Sequence, residues 1–170
     1  MTWAMKFFGL VVITAASFLA GDHFSQQLKY RAANLKKMNY MLDDIMMMIR
    51  FGSLTVYEIA ETLAESERFG GFDFLRGISR SDGIPFQQSW CAAVEKSPPR
   101  GFRAEDIRLL SDIGRKLGTS DAESQLNTLG LQQAELTSAI SSADAEHAKK
   151  AKLYRSMGAL AGAFISIMLL

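Results

Sequence analysis

From Asp22 to Ile49 the apolar positions Leu28, Leu35, Leu42 and Ile49 recur every seven residues, and Met38 and Ile45 form a second seven-residue row. Positions seven apart share one face of a helix, so this spacing predicts a long amphipathic helix with a buried seam. Gly52 supplies a stop. Thr55-x-x-Glu58 has capping-box spacing and starts a second helix with Val56, Ile59, Ala60 and Leu63 on one face. After the break at Gly70 and Gly71, the stretch GFDFLRGISR predicts a short third helix burying Phe72, Leu75 and Ile78. An Asp82-Gly83 turn then leads to Pro85, expected at the first position of a fourth helix that buries Phe86, Trp90, Ala93 and Val94. Ser97-Pro98-Pro99 ends that helix and opens the clearest loop, residues 97–102. Ile107, Leu110, Ile113 and Leu117 mark a fifth helix closed by Gly118. Ser120-x-x-Glu123 predicts a further capping box, with Asp121 where the helix dipole favours negative charge. Beyond it only Gly130 interrupts, and Leu126, Leu129, Leu136 and Ile140 form the core stripe of a last long helix. No sustained alternation is flanked by hairpin turns, so the expected fold is all-α. It is a bundle of about six helices, the first and last long.

Hydropathy extends both long helices past the bundle. Residues 7–21 carry no charge. With Met1–Met5 and a snorkelling Lys6 they make a helix of about 31 Å, against a hydrocarbon core of about 30 Å. Residues 157–170 are also uncharged and span about 21 Å, or about 27 Å from Leu153 if Arg155 snorkels. The expected organisation is a transmembrane helix over 1–21, a helical bundle over 22–155 and a second transmembrane helix over 156–170. Gly158 and Gly162 have the small-xxx-small spacing that lets membrane helices approach closely. A homo-oligomer through that ridge and ordinary glycine tolerance both fit it.

Charge orients these spans. Residues 38–148 hold ten Lys/Arg against seventeen Asp/Glu, net −7, whereas 22–37 and 149–155 hold eight basic residues against Asp22, net +7. The positive-inside rule therefore puts 22–155 in the cytosol and both termini across the cell membrane. A second reading is a secreted or periplasmic helical binding module with a C-terminal anchor, since Lys6 and Ala20-Gly21 could frame a cleaved leader. The single Lys of that leader lies after Trp3, and the helical pattern runs on unbroken past Gly21, which favours a retained anchor. The chain of 170 residues, 48% apolar with three prolines, suits one domain and excludes a mostly disordered chain. A net charge of +1 gives no basic excess of the kind a nucleic-acid partner needs.

Chemistry-bearing residues are sparse. Cys91 is the sole cysteine, so it makes no intramolecular disulfide, and beside Trp90 it reads as a buried thiol. His23 and His147 lack carboxylate partners at ligand spacing. Asp43-Asp44 and Glu105-Asp106 are adjacent pairs, which a helix points about 100° apart, so they read as solvated charges. No phosphate-binding, zinc or nucleophile motif is present. The expectation is no catalytic, metal or cofactor site and no small-molecule substrate; an enzyme would need a cryptic cavity between helices. Five of nine methionines crowd at Met38, Met41, Met46, Met47 and Met48. Consecutive Met46–Met48 cannot all enter one seam, so most fill core and part is left for a partner. Asp43, Asp44, Met46, Met47, Glu105 and Asp106 form the candidate partner face.

Several fragments together carry a resemblance: Ile49-Arg50-Phe51-Gly52 with Thr55 after it, Trp90, Leu117-Gly118-Thr119-Ser120-Asp121 with Gln125 beyond, and Tyr154-Arg155-Ser156-Met157-Gly158-x-x-x-Gly162 to Leu169-Leu170. With the N-terminal anchor they cover nearly the whole chain, which resembles the stage III sporulation protein AB family of endospore-forming bacteria. The resemblance implies a cytosolic helical domain similar to that of type II secretion F proteins. It also implies a platform or adaptor role, on the mother-cell side, in a secretion-like complex linking mother cell and forespore. The partners it implies are the other stage III sporulation A proteins, above all the cytosolic ATPase stage III sporulation protein AA. The chain departs from the family at Ser53-Leu54-Thr55-Val56, where His-Thr-Pro-Leu is common; Thr55 preserves the cap chemistry.

Overall fold

The computed structural model describes residues 2–52, 54–78 and 83–169, with side chains over 26–52, 54–78 and 83–150 and at Leu153. Five α-helices follow one another: α1 (Thr2–Phe51), α2 (Val56–Glu65), α3 (Phe86–Lys96), α4 (Ala104–Lys116) and α5 (Ala122–Leu169). Among the described residues there is no strand. The expected short third helix is instead a 3₁₀ turn, Asp73–Gly77, preceded by another, Glu67–Phe69. The segment buries Phe69, Phe72, Phe74 and Leu75. Phe72 and Phe74 would point about 200° apart on an α-helix, so a single helical stripe could not bury both. Gly71, at φ +93°, adds a left-handed residue between the two turns.

Both long helices form without interruption. α1 and α5 run antiparallel, with Arg31 facing Glu146, Lys36 facing Asp144 and Asp43 facing Gln133. The seam follows the heptads: Leu28, Leu35, Leu42, Met38 and Ile45 on α1 are buried, as are Leu129, Leu136 and Ala143 on α5. Ile49 and Ile140 are partly buried against the same core. The shorter elements are joined to one another by an aromatic chain. Tyr57 meets Phe86 edge-on at 5.2 Å between ring centroids, Phe86 meets Trp90 at 5.8 Å and Trp90 meets Phe74 at 5.3 Å. Phe72 joins Phe74 at 5.7 Å and Phe102 at 6.3 Å. Such pairs add about 0.5–1.5 kcal/mol each beyond the area they bury.

The caps explain where the helices begin. Thr55 and Glu58 close the expected capping box on α2. Pro85 is the N-cap of α3, so the helix begins at Phe86, one residue later than expected, because the Pro85 ψ of 145° is extended. The box expected at Ser120 is likewise displaced: Asp121 caps α5, its carboxylate accepting from the Ser124 N–H at 3.0 Å. That bond holds the Asp121 carboxyl below its usual range.

Residues 2–21 and 156–169 are helical in backbone, but the side chains of both expected spans, with Gly158 and Gly162, lie outside the described residues, as do those of Tyr154, Arg155 and His23. Among the described residues no helix is long and apolar enough to cross a membrane.

Candidate functional site

Antiparallel pairing gives the molecule two ends. At the end toward the chain termini, α1, α4 and α5 meet in a charged cluster. Arg31 lies one heptad before Met38, on the same row, and is only 3% exposed. Its guanidinium grips Asp106 side-on, Nε to Oδ2 at 2.7 Å and Nη2 to Oδ1 at 2.8 Å, and Nη2 also donates to Glu105 Oε1 at 2.6 Å. Asp106, fully buried, further accepts the Arg103 backbone N–H at 2.8 Å at the start of α4. The pair Glu105-Asp106 therefore does not project into solvent as expected. One guanidinium gathers both carboxylates, and only Glu105 is exposed. Stripping water from this Arg–Asp pair is offset by the bidentate geometry and the backbone donor.

Glu146 completes the cluster from α5. It takes Arg103 Nη2 at 2.8 and 2.7 Å and Lys150 Nζ at 3.0 Å, with Arg31 Nη1 at 3.6 Å. Arg103 first and Lys150 second hold its carboxyl at about 2, far below the ordinary 4.5. Gly101 makes the approach feasible. At φ +82° it lays the α3–α4 loop against α1, where a β-carbon would lie 2.8 Å from the Arg31 backbone nitrogen. Arg31 had a signal in the heptad row; Gly101, Arg103 and Glu146 had none, since their partners lie tens of residues away.

At the opposite end most of the motif residues converge. Gly52 extends the last turn of α1, its N–H reaching Met48 O at 2.8 Å. Gly118, at φ +73°, turns the chain from α4 to α5, and a β-carbon there would approach Val56 Cγ1 to 3.0 Å. Gln125 braces this turn from both sides: its Oε1 accepts the Gly118 N–H at 2.9 Å and its Nε2 donates to Ser120 O at 2.6 Å. Gln87 Nε2 reaches Leu117 O at 2.7 Å, tying α3 to the same turn. Trp90, buried in the centre, donates Nε1–H to Leu110 O at 2.9 Å. Leu117, Gly118, Ser120, Asp121 and Gln125 are thus one interlocked corner.

Around that corner large apolar side chains reach solvent: Phe51 is 81% exposed, Met47 56%, Ile84 47% and Leu54 43%. Met47 and Phe51 lie one turn apart on α1, and Leu54 follows across Gly52. Of the crowded methionines, Met38 and Met41 are buried and Met46 and Met48 pack against the core, leaving Met47 outward. The candidate partner face is accordingly divided. Glu105 and Asp106 belong to the cluster at the other end, Asp44 pairs with Arg68 at 3.4 Å and Asp43 accepts from Gln133. Only Met47 stays with the apolar tip. Phe51 and Ile84 were missed because an exposed apolar residue reads, one position at a time, like a buried one.

Cys91 is half-buried with Sγ 3.9 Å from Ser111 O. Among the described residues no group of three or more His, Cys, Asp or Glu side chains could hold a metal ion. No curated protein and no solved structure matches the chain. A protein-family model does: stage III sporulation protein AB, over residues 6–170. That match spans nearly all of the 170 residues, and the chain belongs to the stage III sporulation protein AB family.

Proposed function

We propose that this sporulation protein is a membrane-anchored platform, held by apolar helices over 1–21 and 156–170, whose cytosolic bundle presents its far tip to a soluble ATPase of the stage III sporulation A assembly. The observation that carries the reading is the polarity of the fold. Both candidate anchors leave the bundle at one end, and exposed Met47, Phe51, Leu54 and Ile84 crown the other. A group of exposed large apolar side chains, with a phenylalanine and a methionine one helical turn apart, is the mark of a partner-binding patch. The acidic balance of residues 38–148 would add attraction for a basic partner surface. In this reading the protein performs no reaction of its own: it holds a motor against a bilayer, within a secretion-like channel joining mother cell and forespore.

Co-purification of the intact chain with the stage III sporulation protein AA ATPase tests it. Met47→Ser with Phe51→Ser should weaken capture by about 2 kcal/mol, roughly thirtyfold, if these are anchor residues of the interface. Unchanged capture by a variant that unfolds at the wild-type denaturant concentration would refute the tip as the docking face.

A further inference from the structure

At the terminal end of the bundle the cations not engaged in the ion cluster share one level. Arg31 faces Glu146 across the α1–α5 seam, so three residues back on α1 and three on along α5 bring Leu28 level with Lys149. Lys29 and Lys149 are exposed, and neither is in an ion pair among the described residues. Arg100, at the tip of the α3–α4 loop, joins them: its guanidinium lies 5.3 Å above the ring of Tyr30, itself 42% exposed. The loop is pinned there by Gly101 on α1 and by Asn34 Nδ2 donating to Arg100 O at 2.8 Å. An open cleft of about 450 Å³ lies beside it, with Leu28 and Phe102 among its apolar walls and Lys150 at its rim.

Lys29 lies eight helical steps beyond Gly21, about 12 Å along the axis. The headgroup layer extends about 6 Å beyond the hydrocarbon, and a surface potential acts over a Debye length of about 8 Å. The cations therefore fall inside the field of an anionic leaflet. We propose that Lys29, Arg100 and Lys149 form a surface that recognises anionic phospholipid headgroups. The α3–α4 loop then acts as a third foot of the bundle between its two stalks. The inference rests on the anchored reading above. It adds a lipid class and a contact from a loop far from either span in sequence.

The test places the full chain in nanodiscs of phosphatidylcholine with or without phosphatidylglycerol and follows amide hydrogen exchange over residues 97–103. Phosphatidylglycerol should slow exchange there, and Arg100→Ser or Lys149→Ser should each return about fivefold of that protection, while exchange in α2 stays unchanged. Equal exchange in both discs, with the chain embedded, overturns the lipid surface and leaves the anchors standing. A chain that enters neither disc overturns both. If RNA protects the loop equally in phosphatidylcholine discs, the face is a nucleic-acid site and the lipid assignment falls.

Discussion

The indole of Trp90 occupies the space a β-carbon on Gly114 would need: such an atom would lie 2.1 Å from Trp90 Cδ1. The glycine lets α3 press its largest side chain against the backbone of α4, close enough for Nε1–H to reach Leu110 O. Gly114→Ala gains up to about 1 kcal/mol of helix propensity, and the clash opposes it with about 1–3 kcal/mol or more. The clash should win because the atom met is a ring carbon, not the end of a flexible chain. We expect net destabilisation of about 2 kcal/mol by denaturant unfolding. In a Trp90→Leu background the same alanine should cost little. A stabilising Gly114→Ala in the wild-type chain would show that the ring is free to move.

Arg31 and Asp106 form the second coupled pair. Arg31→Met strands a fully buried carboxylate, an event that typically costs about 3–5 kcal/mol. The double change Arg31→Met with Asp106→Leu removes both charges and should recover much of that. The Arg103 N–H, which Asp106 now satisfies, stays without a partner, a residual of about 1 kcal/mol. A double-mutant cycle reads the coupling directly. Costs that simply add would mean that the two side chains do not depend on each other.

Much of this architecture is legible in the chain because it is local. The heptads of α1, the Thr55–Glu58 box and the Gly118 corner each involve residues within a few turns, where spacing and backbone conformation carry the information. What spacing does not carry is which partner a charge finds. Asp106 looked solvated beside Glu105, yet it is buried, because its cation comes from 75 residues earlier. The stretch after Gly71 contained apolar residues at helical intervals but also Phe74, whose burial on another side demands 3₁₀ turns. At the tip, exposure itself was the hidden quantity: Met47 and Met48 are neighbours of one type, and only packing separates the outward from the inward one.

Gln132 carries the third prediction. It is 7% exposed on α5 between Leu129 and Leu136, and its Oε1 is buried with no hydrogen-bond partner. A buried acceptor left unpaired costs about 1–3 kcal/mol, so Gln132→Leu, of similar volume, should stabilise the chain by about 1 kcal/mol. Denaturant unfolding measures it. A loss of stability would indicate that the amide makes a water-mediated bond worth more than the apolar contact.

The last prediction concerns acid. The Glu146 carboxyl is held at about 2 against an ordinary 4.5, by Arg103 and then Lys150. Below pH 4.5 the unfolded chain takes up a proton that the folded chain refuses, so this contribution is complete above about pH 4.5 and disappears as pH falls toward about 2. Glu146→Gln removes that linkage but keeps the side-chain shape. The wild type should therefore be the more stable of the two at neutral pH, and their unfolding curves should draw together as pH falls through that window. The Asp121 carboxyl is also lowered, by its bond from Ser124, so the quantity to follow is the difference between the two proteins. A difference that stays constant from neutral pH down to pH 2 would mean that Glu146 acts through packing, and that its cations do not stabilise its ionised form.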